Sequence, residues 1–241
     1  MSQKTRVIIS AITKYLILGF ATAGILACVF GSGFMAGGNI LLKYFTIQSN
    51  IWIGLFGLII GTVQFVNLKH GVLDLKRWAY VLQLVLTTSI TLTGVVFCFV
   101  LLPTMVGNEA MRGTVLAWPQ IFLHVVVPIL SVVDLLVWTR PVRFNFKFYD
   151  SLFSLIPPLY YLVFSRIGYV RGWDFGGGVN YPYFFLNYDS PAGLIGFSKE
   201  MPYFMGVIWW IIAIALFVLL VSRFYQYLMI IFLKKNRQKM I

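Results

Sequence analysis

What most limits how this chain can fold is a series of long apolar runs, with nearly every charge pushed into the breaks between them. Residues 51–66 read "IWIGLFGLIIGTVQFV", without one ionisable side chain. Comparable runs occupy about 7–30, 46–67, 78–102, 116–138, 148–165 and 203–224. A hydrocarbon core about 30 Å thick takes roughly 20 apolar residues per helix, and these runs reach or approach that length. None shows the period-two alternation of a half-buried strand. Composition agrees: 11% of residues are charged, against about 25% in a typical soluble domain, and the mean hydropathy is +0.87. The expectation is an all-α integral membrane protein in which six transmembrane helices form a single polytopic domain over residues 1–241.

The first run, after "MSQKTR", invites comparison with a signal peptide, and "ILAC" at 25–28 with a lipoprotein cleavage site. A signal core is about 7–15 residues long, whereas this run is far longer, so a retained first helix is expected. Cys28 and Cys98 both fall inside predicted helices and read as small apolar packing residues. The net charge of +12 does not point to nucleic acid, because no basic patch with interleaved aromatics sits on a soluble fold. It follows membrane topology instead.

With six spans, both termini lie on one side. Fourteen of the 19 Lys and Arg residues fall on that side. They include Lys4, Arg6, Lys14, Lys69, Lys76, Arg77, Arg140, Arg143, Lys147, Arg223 and Lys239. The other side holds Lys43, Arg112, Arg166, Arg171 and Lys199. The positive-inside rule then places both termini in the cytoplasm. The outer connection 166–202 carries Gly176-Gly177-Gly178, three prolines and "YPYFFLNY". It is apolar enough to fold back over the bundle, or to form an aromatic belt at the headgroups. A straight helix over 203–233 would measure ~46 Å, so its end is expected to bend or to lie along the inner surface with the basic tail 225–241. No internal repeat of the kind found in many transporters is evident.

Ionisable groups within lipid are costly and therefore informative. Three fall well inside the runs: Lys14, His124 and Asp134. Lys14 and Asp134 come out at similar depth, which suits a structural ion pair joining the first and fourth helices; a proton relay is the other reading. His124 has no second His, Cys or carboxylate nearby, so neither a metal nor a cofactor is expected. Pro128 follows four residues later and removes a backbone partner from the His124 carbonyl. A kink there would open space beside the imidazole.

"KYFTIQSN" at 43–50 places Thr46, Gln48, Ser49 and Asn50 at the mouth of the second apolar run. By parity, Thr46 and His124 both lie near the outer surface. Thr46 can act as an N-cap, or as a hydroxyl nucleophile with His124 as its general base. Asn50 shares a helix face with Thr46. Ser49, Asn50 or the first N–H groups of the helix would then face a developing oxyanion. The third run carries Thr87, Thr88, Ser89, Thr91 and Thr93, which are easily tolerated by bonding to their own preceding turn. In the fifth, Pro157 and Pro158 precede Tyr160 and Tyr161, which fit a role in orienting substrate or supporting His124, a belt or the core.

"KYFTIQSN" and "LHVVVP" at 123–128 resemble the androgen-induced protein/ADTRP family and its bacterial six-helix relatives, and "YPYFFLN" at 181–187 is similar to a loop motif of the bacterial branch. The resemblance implies an intramembrane threonine hydrolase acting on fatty acid esters of hydroxy fatty acids. By position it makes Thr46 the nucleophile and His124 its partner, in a bacterial cytoplasmic membrane. It implies a lipid or acyl-ester substrate and no cofactor. Asp134 and the YP loop depart from the animal pattern and leave the ester class open. The competing expectation is a non-catalytic lipid-binding protein or a small-molecule transporter using the same pocket.

Overall fold

The computed structural model describes residues 1–30, 38–107, 112–113, 115–139 and 146–238. Arg140, Arg143 and Lys239, three of the charges expected on the inner side, lie outside the described residues. Among the described residues, five helices are long and apolar enough to cross a membrane: α1 (Gln3–Phe30), α2 (Phe45–Lys69), α3 (Arg77–Val106), α4 (Trp118–Trp138) and the apolar part of the last helix, Val207–Phe232. By length and apolarity this is a multi-pass helical membrane protein.

The run at 148–165 forms a composite element instead. It begins as a 3₁₀ turn, Phe148–Leu155, and continues as the 15-residue helix α5, Ile156–Val170. Pro157 and Pro158 explain the change. Neither has an N–H to return to the preceding turn, although both are tolerated in the first turn of a new helix.

The other two interior prolines leave a similar mark. Pro103 follows a π-helical turn at Phe97–Leu101, and Pro128 follows one at Phe122–Val126. A π-turn absorbs a ring that would otherwise strike the preceding carbonyl, and such turns are frequent at functional sites. By contrast α6, Val207–Gln238, has no Gly or Pro and runs as one 32-residue α-helix. It continues unbroken through the stretch whose end was expected to bend or to lie along the inner surface.

The helices pack closely where side chains are small, as is usual for membrane bundles. A Cβ added to Gly57 of α2 would lie 2.6 Å from the Lys14 carbonyl of α1. That contact helps bury Lys14, whose Nζ lies 2.6 Å from Asp134 Oδ2 of α4. Ser10 donates to the other Asp134 oxygen at 2.6 Å, and Gln83 of α3 donates to Oδ2 at 2.8 Å. One carboxylate therefore joins three helices, and its donors offset much of the cost of burying the charge. A second ion pair joins Arg77 to the fully buried Asp150 at 2.6 Å. Counting three ionisable groups inside the runs overlooked Asp150 because it sits at the edge of the fifth. The hydroxyls of Thr88, Ser89, Thr91 and Thr93 bond to carbonyls one turn back, satisfying them within α3. Cys28 is buried and both cysteines are free.

Between α5 and α6 the connection folds back onto the bundle. Phe175 is completely buried, and Phe185 and Leu186 are nearly so. The Tyr44 hydroxyl donates to the Phe175 carbonyl. Lys43 Nζ donates to the Asp174 carbonyl at 2.7 Å and sits over the Trp173 ring. This connection closes the end of the bundle opposite the start of α1 and the end of α6.

Candidate active site

Two of the residues singled out in the sequence meet at that closed end. Thr46 Oγ1 on α2 and His124 Nε2 on α4 are 3.2 Å apart. The helix begins at Phe45 with Tyr44 as its N-cap residue, so Thr46 lies within the first turn and is not the cap. The imidazole is fixed on its other side: Nδ1 is 3.0 Å from the Gln120 carbonyl oxygen. A carbonyl can only accept, so Nδ1 carries the hydrogen. In the neutral ring Nε2 then presents a lone pair. The Thr46 hydroxyl donates to that lone pair, which is the arrangement a general base requires.

The π-turn positions this ring. It follows from Pro128, but the space the kink was expected to open is filled. Gly94 of α3 packs so tightly that an added Cβ would lie 2.7 Å from the His124 carbonyl oxygen and 3.2 Å from the Pro128 ring. Phe97 stacks on the imidazole with centroids 3.8 Å apart. Free space lies instead beyond Thr46, in an apolar chamber of ≈ 90 Å³. Phe45, Thr46, Thr93, Tyr161, Tyr183 and Ile211 line it, together with Leu159 and other aliphatic side chains of α3, α5 and α6. Thr46 is partly accessible, and Leu159 is exposed on the outer side of the wall. The chamber thus borders the apolar outer surface between α5 and α6.

Ser49 and Asn50 flank the nucleophile candidate, but their donors turn away from the chamber. Ser49 Oγ donates to the Thr46 carbonyl at 3.1 Å and pairs with Thr93 at 2.9 Å. Asn50 Nδ2 donates to the Thr46 carbonyl at 2.8 Å and to the Leu123 carbonyl at 3.2 Å. The Asn50–Leu123 bond ties α2 to α4, and the Ser49–Thr93 pair ties α2 to α3, on either side of Thr46. Both side chains are thus engaged by carbonyls and by Thr93, and the structure aims neither donor into the chamber as the oxyanion expectation required. Tyr160 is 48% exposed and stands against Trp52, away from Thr46. Tyr161 is buried and lines the chamber, while its hydroxyl donates to the Lys43 carbonyl at 3.0 Å. Consecutive helical residues diverge by about 100°, which separates these two fates.

Sequence reasoning missed Tyr183, although the "YPYFFLN" segment that contains it stood out. Tyr183 lines the chamber beside Thr46 and packs edge-on against Tyr44. Burial pushes its phenol up to about 12, and the Thr46 hydroxyl and the N–H groups of Thr46 and Phe45 pull the other way. The phenol therefore stays protonated at neutral pH while facing the positive end of α2. A Tyr directly after Pro182 in an apolar loop was the available signal, but only tertiary contact reveals its target.

Among the described residues, no three His, Cys, Asp or Glu side chains gather as a metal site would need. No protein-family model, curated protein or solved structure matches the chain.

Proposed function

We propose that the protein is an intramembrane lipid esterase that uses a threonine nucleophile. Thr46 Oγ attacks the carbonyl carbon of a fatty-acyl ester as its proton passes to His124 Nε2. The Tyr183 phenol steadies the oxyanion of the tetrahedral intermediate. Collapse breaks the ester C–O bond, and His124 returns the proton to the leaving alcohol. Water, deprotonated by His124, then attacks the acyl-threonine, releasing the fatty acid and restoring the hydroxyl. The acyl chain lies in the apolar chamber and passes out between α5 and α6 beside Leu159. Fatty acid esters of hydroxy fatty acids are the substrate class, in keeping with the resemblance carried by "KYFTIQSN", "LHVVVP" and "YPYFFLN".

The observation that carries this reading is the pairing of Nδ1–H with the Gln120 carbonyl, which leaves Nε2 facing the Thr46 hydroxyl at 3.2 Å. That separation is within reach for proton transfer. With the composite 148–170 element as a sixth crossing, both termini face the cytoplasm of a bacterial cell and the chamber opens toward the outer leaflet.

The test is labelling of purified protein by a fluorophosphonate probe, alongside fatty-acid release from a hydroxy-fatty-acid ester. Wild type labels and turns over. Thr46→Ala abolishes both, and His124→Ala lowers turnover by roughly 10²–10⁴-fold. Equal labelling of all three proteins overturns the dyad. Ester binding without any hydrolysis by wild type identifies a lipid-binding protein instead.

A further inference from the structure

A second concave surface lies outside the chamber, on the outer flank of α3 against the 3₁₀ lead-in to α5. It is a groove of ≈ 1180 Å³, larger than the ~300–1,000 Å³ usual for small-molecule sites. Most of its wall is apolar: Val81, Leu82 and Val85 from α3, and Phe153, Ile156 and Pro157, with Trp52 and Tyr160. Its other lining residues are Lys76, Arg77 and Trp78, at the start of α3, and Leu86. Leu82, Phe153, Ile156 and Tyr160 are all exposed, so the groove faces whatever surrounds the bundle.

The basic end has more positive charge than its own carboxylates balance. Lys76 and Arg77 line this end, and Lys147, outside the lining, approaches the same Tyr149 ring as Arg77, at 5.5 and 5.8 Å. Two carboxylates stand nearby. Asp150 is fully buried and already holds Arg77 and the Lys147 N–H. Asp74 is turned inward to the Tyr80 hydroxyl and the Leu75 N–H. Lys76 and Lys147 are exposed, and the first turn of α3 contains no acidic residue. A cationic mouth above an apolar trough matches one kind of occupant in charge and in shape. Basic clusters at a membrane surface attract anionic lipid headgroups, and an exposed apolar trough suits an acyl chain.

We propose that this groove binds one molecule of an anionic phospholipid. The phosphate sits against Lys76 and Arg77 in the groove, within reach of Lys147 from the neighbouring Tyr149 ring, and an acyl chain lies along α3 toward Trp52. The site does not depend on the Thr46–His124 chemistry, and its lipid is a bound companion rather than the substrate.

The test uses the full chain reconstituted in vesicles of equal parts phosphatidylglycerol and phosphatidylcholine, then extracted into detergent for native mass spectrometry. The expected result is one retained phosphatidylglycerol per chain. Retention should fall roughly tenfold or more in the Lys76→Gln/Lys147→Gln double variant. It should also fall in Leu82→Trp, which fills the trough without touching the charges. Both variants alter exposed residues, and unchanged melting temperatures verify folding. Equal retention of the two lipids overturns the proposal. So does loss of the lipid on adding inorganic phosphate, which would mean that the charges alone bind. Dimers that Leu82→Trp dissociates would assign the groove to a second copy of the chain and overturn it as well.

Discussion

At His124 the chemistry depends on one hydrogen. With Nδ1–H held by the Gln120 carbonyl at 3.0 Å, a backbone oxygen does the orienting that carboxylates do in many hydrolases, and no buried negative charge is needed in lipid. In the proposed mechanism, no ionic group among the described residues pairs with the His124 imidazolium, which leaves more of the transition-state burden on the oxyanion side. The proposal gives that burden to Tyr183, which lines the chamber beside Thr46. Tyr183→Phe keeps the ring packing on Phe185 and Tyr44 and removes only the hydroxyl. It is expected to lower ester turnover by roughly 10²–10³-fold, with probe labelling of Thr46 reduced but not abolished. Turnover within twofold of wild type would exclude the role. Thr46 and His124 were legible in the sequence because each is an anomalous polar group in an apolar run, and both fell at the same predicted depth. Tyr183 was not, because a tyrosine in an aromatic loop is no anomaly. Ser49 and Asn50 were visible as part of the polar cluster, but their role was not. Proximity along the chain cannot say that their donors point back at the Thr46 carbonyl.

The elements differ in how well they could be read. Five apolar runs became continuous helices of spanning length, since length and apolarity decide that outcome almost alone. The run holding Pro157 and Pro158 split into a 3₁₀ turn and a 15-residue helix, because proline acts on hydrogen bonds that a hydropathy pattern does not register. Pro128 was correctly expected to disturb α4. Its consequence was not, because the disturbance took the form of a π-turn, and the glycine that fills the adjoining space lies on another helix. Gly94 therefore makes a sharp probe of element-level design. A methyl there would stand 2.7 Å from the His124 carbonyl oxygen, a backbone atom that cannot swing aside, so α3 and α4 must separate. Gly94→Ala is expected to destabilise the protein by about 1–3 kcal/mol, read as a lower melting temperature in detergent, and to weaken turnover by moving His124 off Thr46. An unchanged melting temperature would mean that the two helices are free to slide.

Across the whole molecule, the two ends of the bundle are closed by different physics. One end is held by aromatic and hydroxyl contacts of the α5–α6 connection, and these respond to alkali. Burial raises the Tyr183 phenol from its ordinary value of 10 to about 12, and burial, then Asp174, also raises Tyr44. A raised value means that the folded state favours the protonated phenol. Docking is therefore undiminished below about pH 10 and weakens as pH climbs toward 12. Protease cutting within 171–206 should rise over that window, and cutting that stays flat through it would refute the coupling. The opposite end is held by ions. Lys14 and Asp134 leave only 1% and 2% of their side chains exposed, so Lys14→Met abandons a carboxylate where water cannot reach it. That single change should cost about 3–5 kcal/mol. Replacing both, with Lys14→Met and Asp134→Leu, removes the stranded charge and should recover much of the loss. Recovery should stay incomplete because Ser10 and Gln83 lose the oxygens they donate to. Melting temperatures of the two single variants and the double variant decide it. If the effects of the single changes simply add in the double, the two groups do not act as a pair, and the junction of α1, α3 and α4 must draw its stability from the close packing at Gly57 instead.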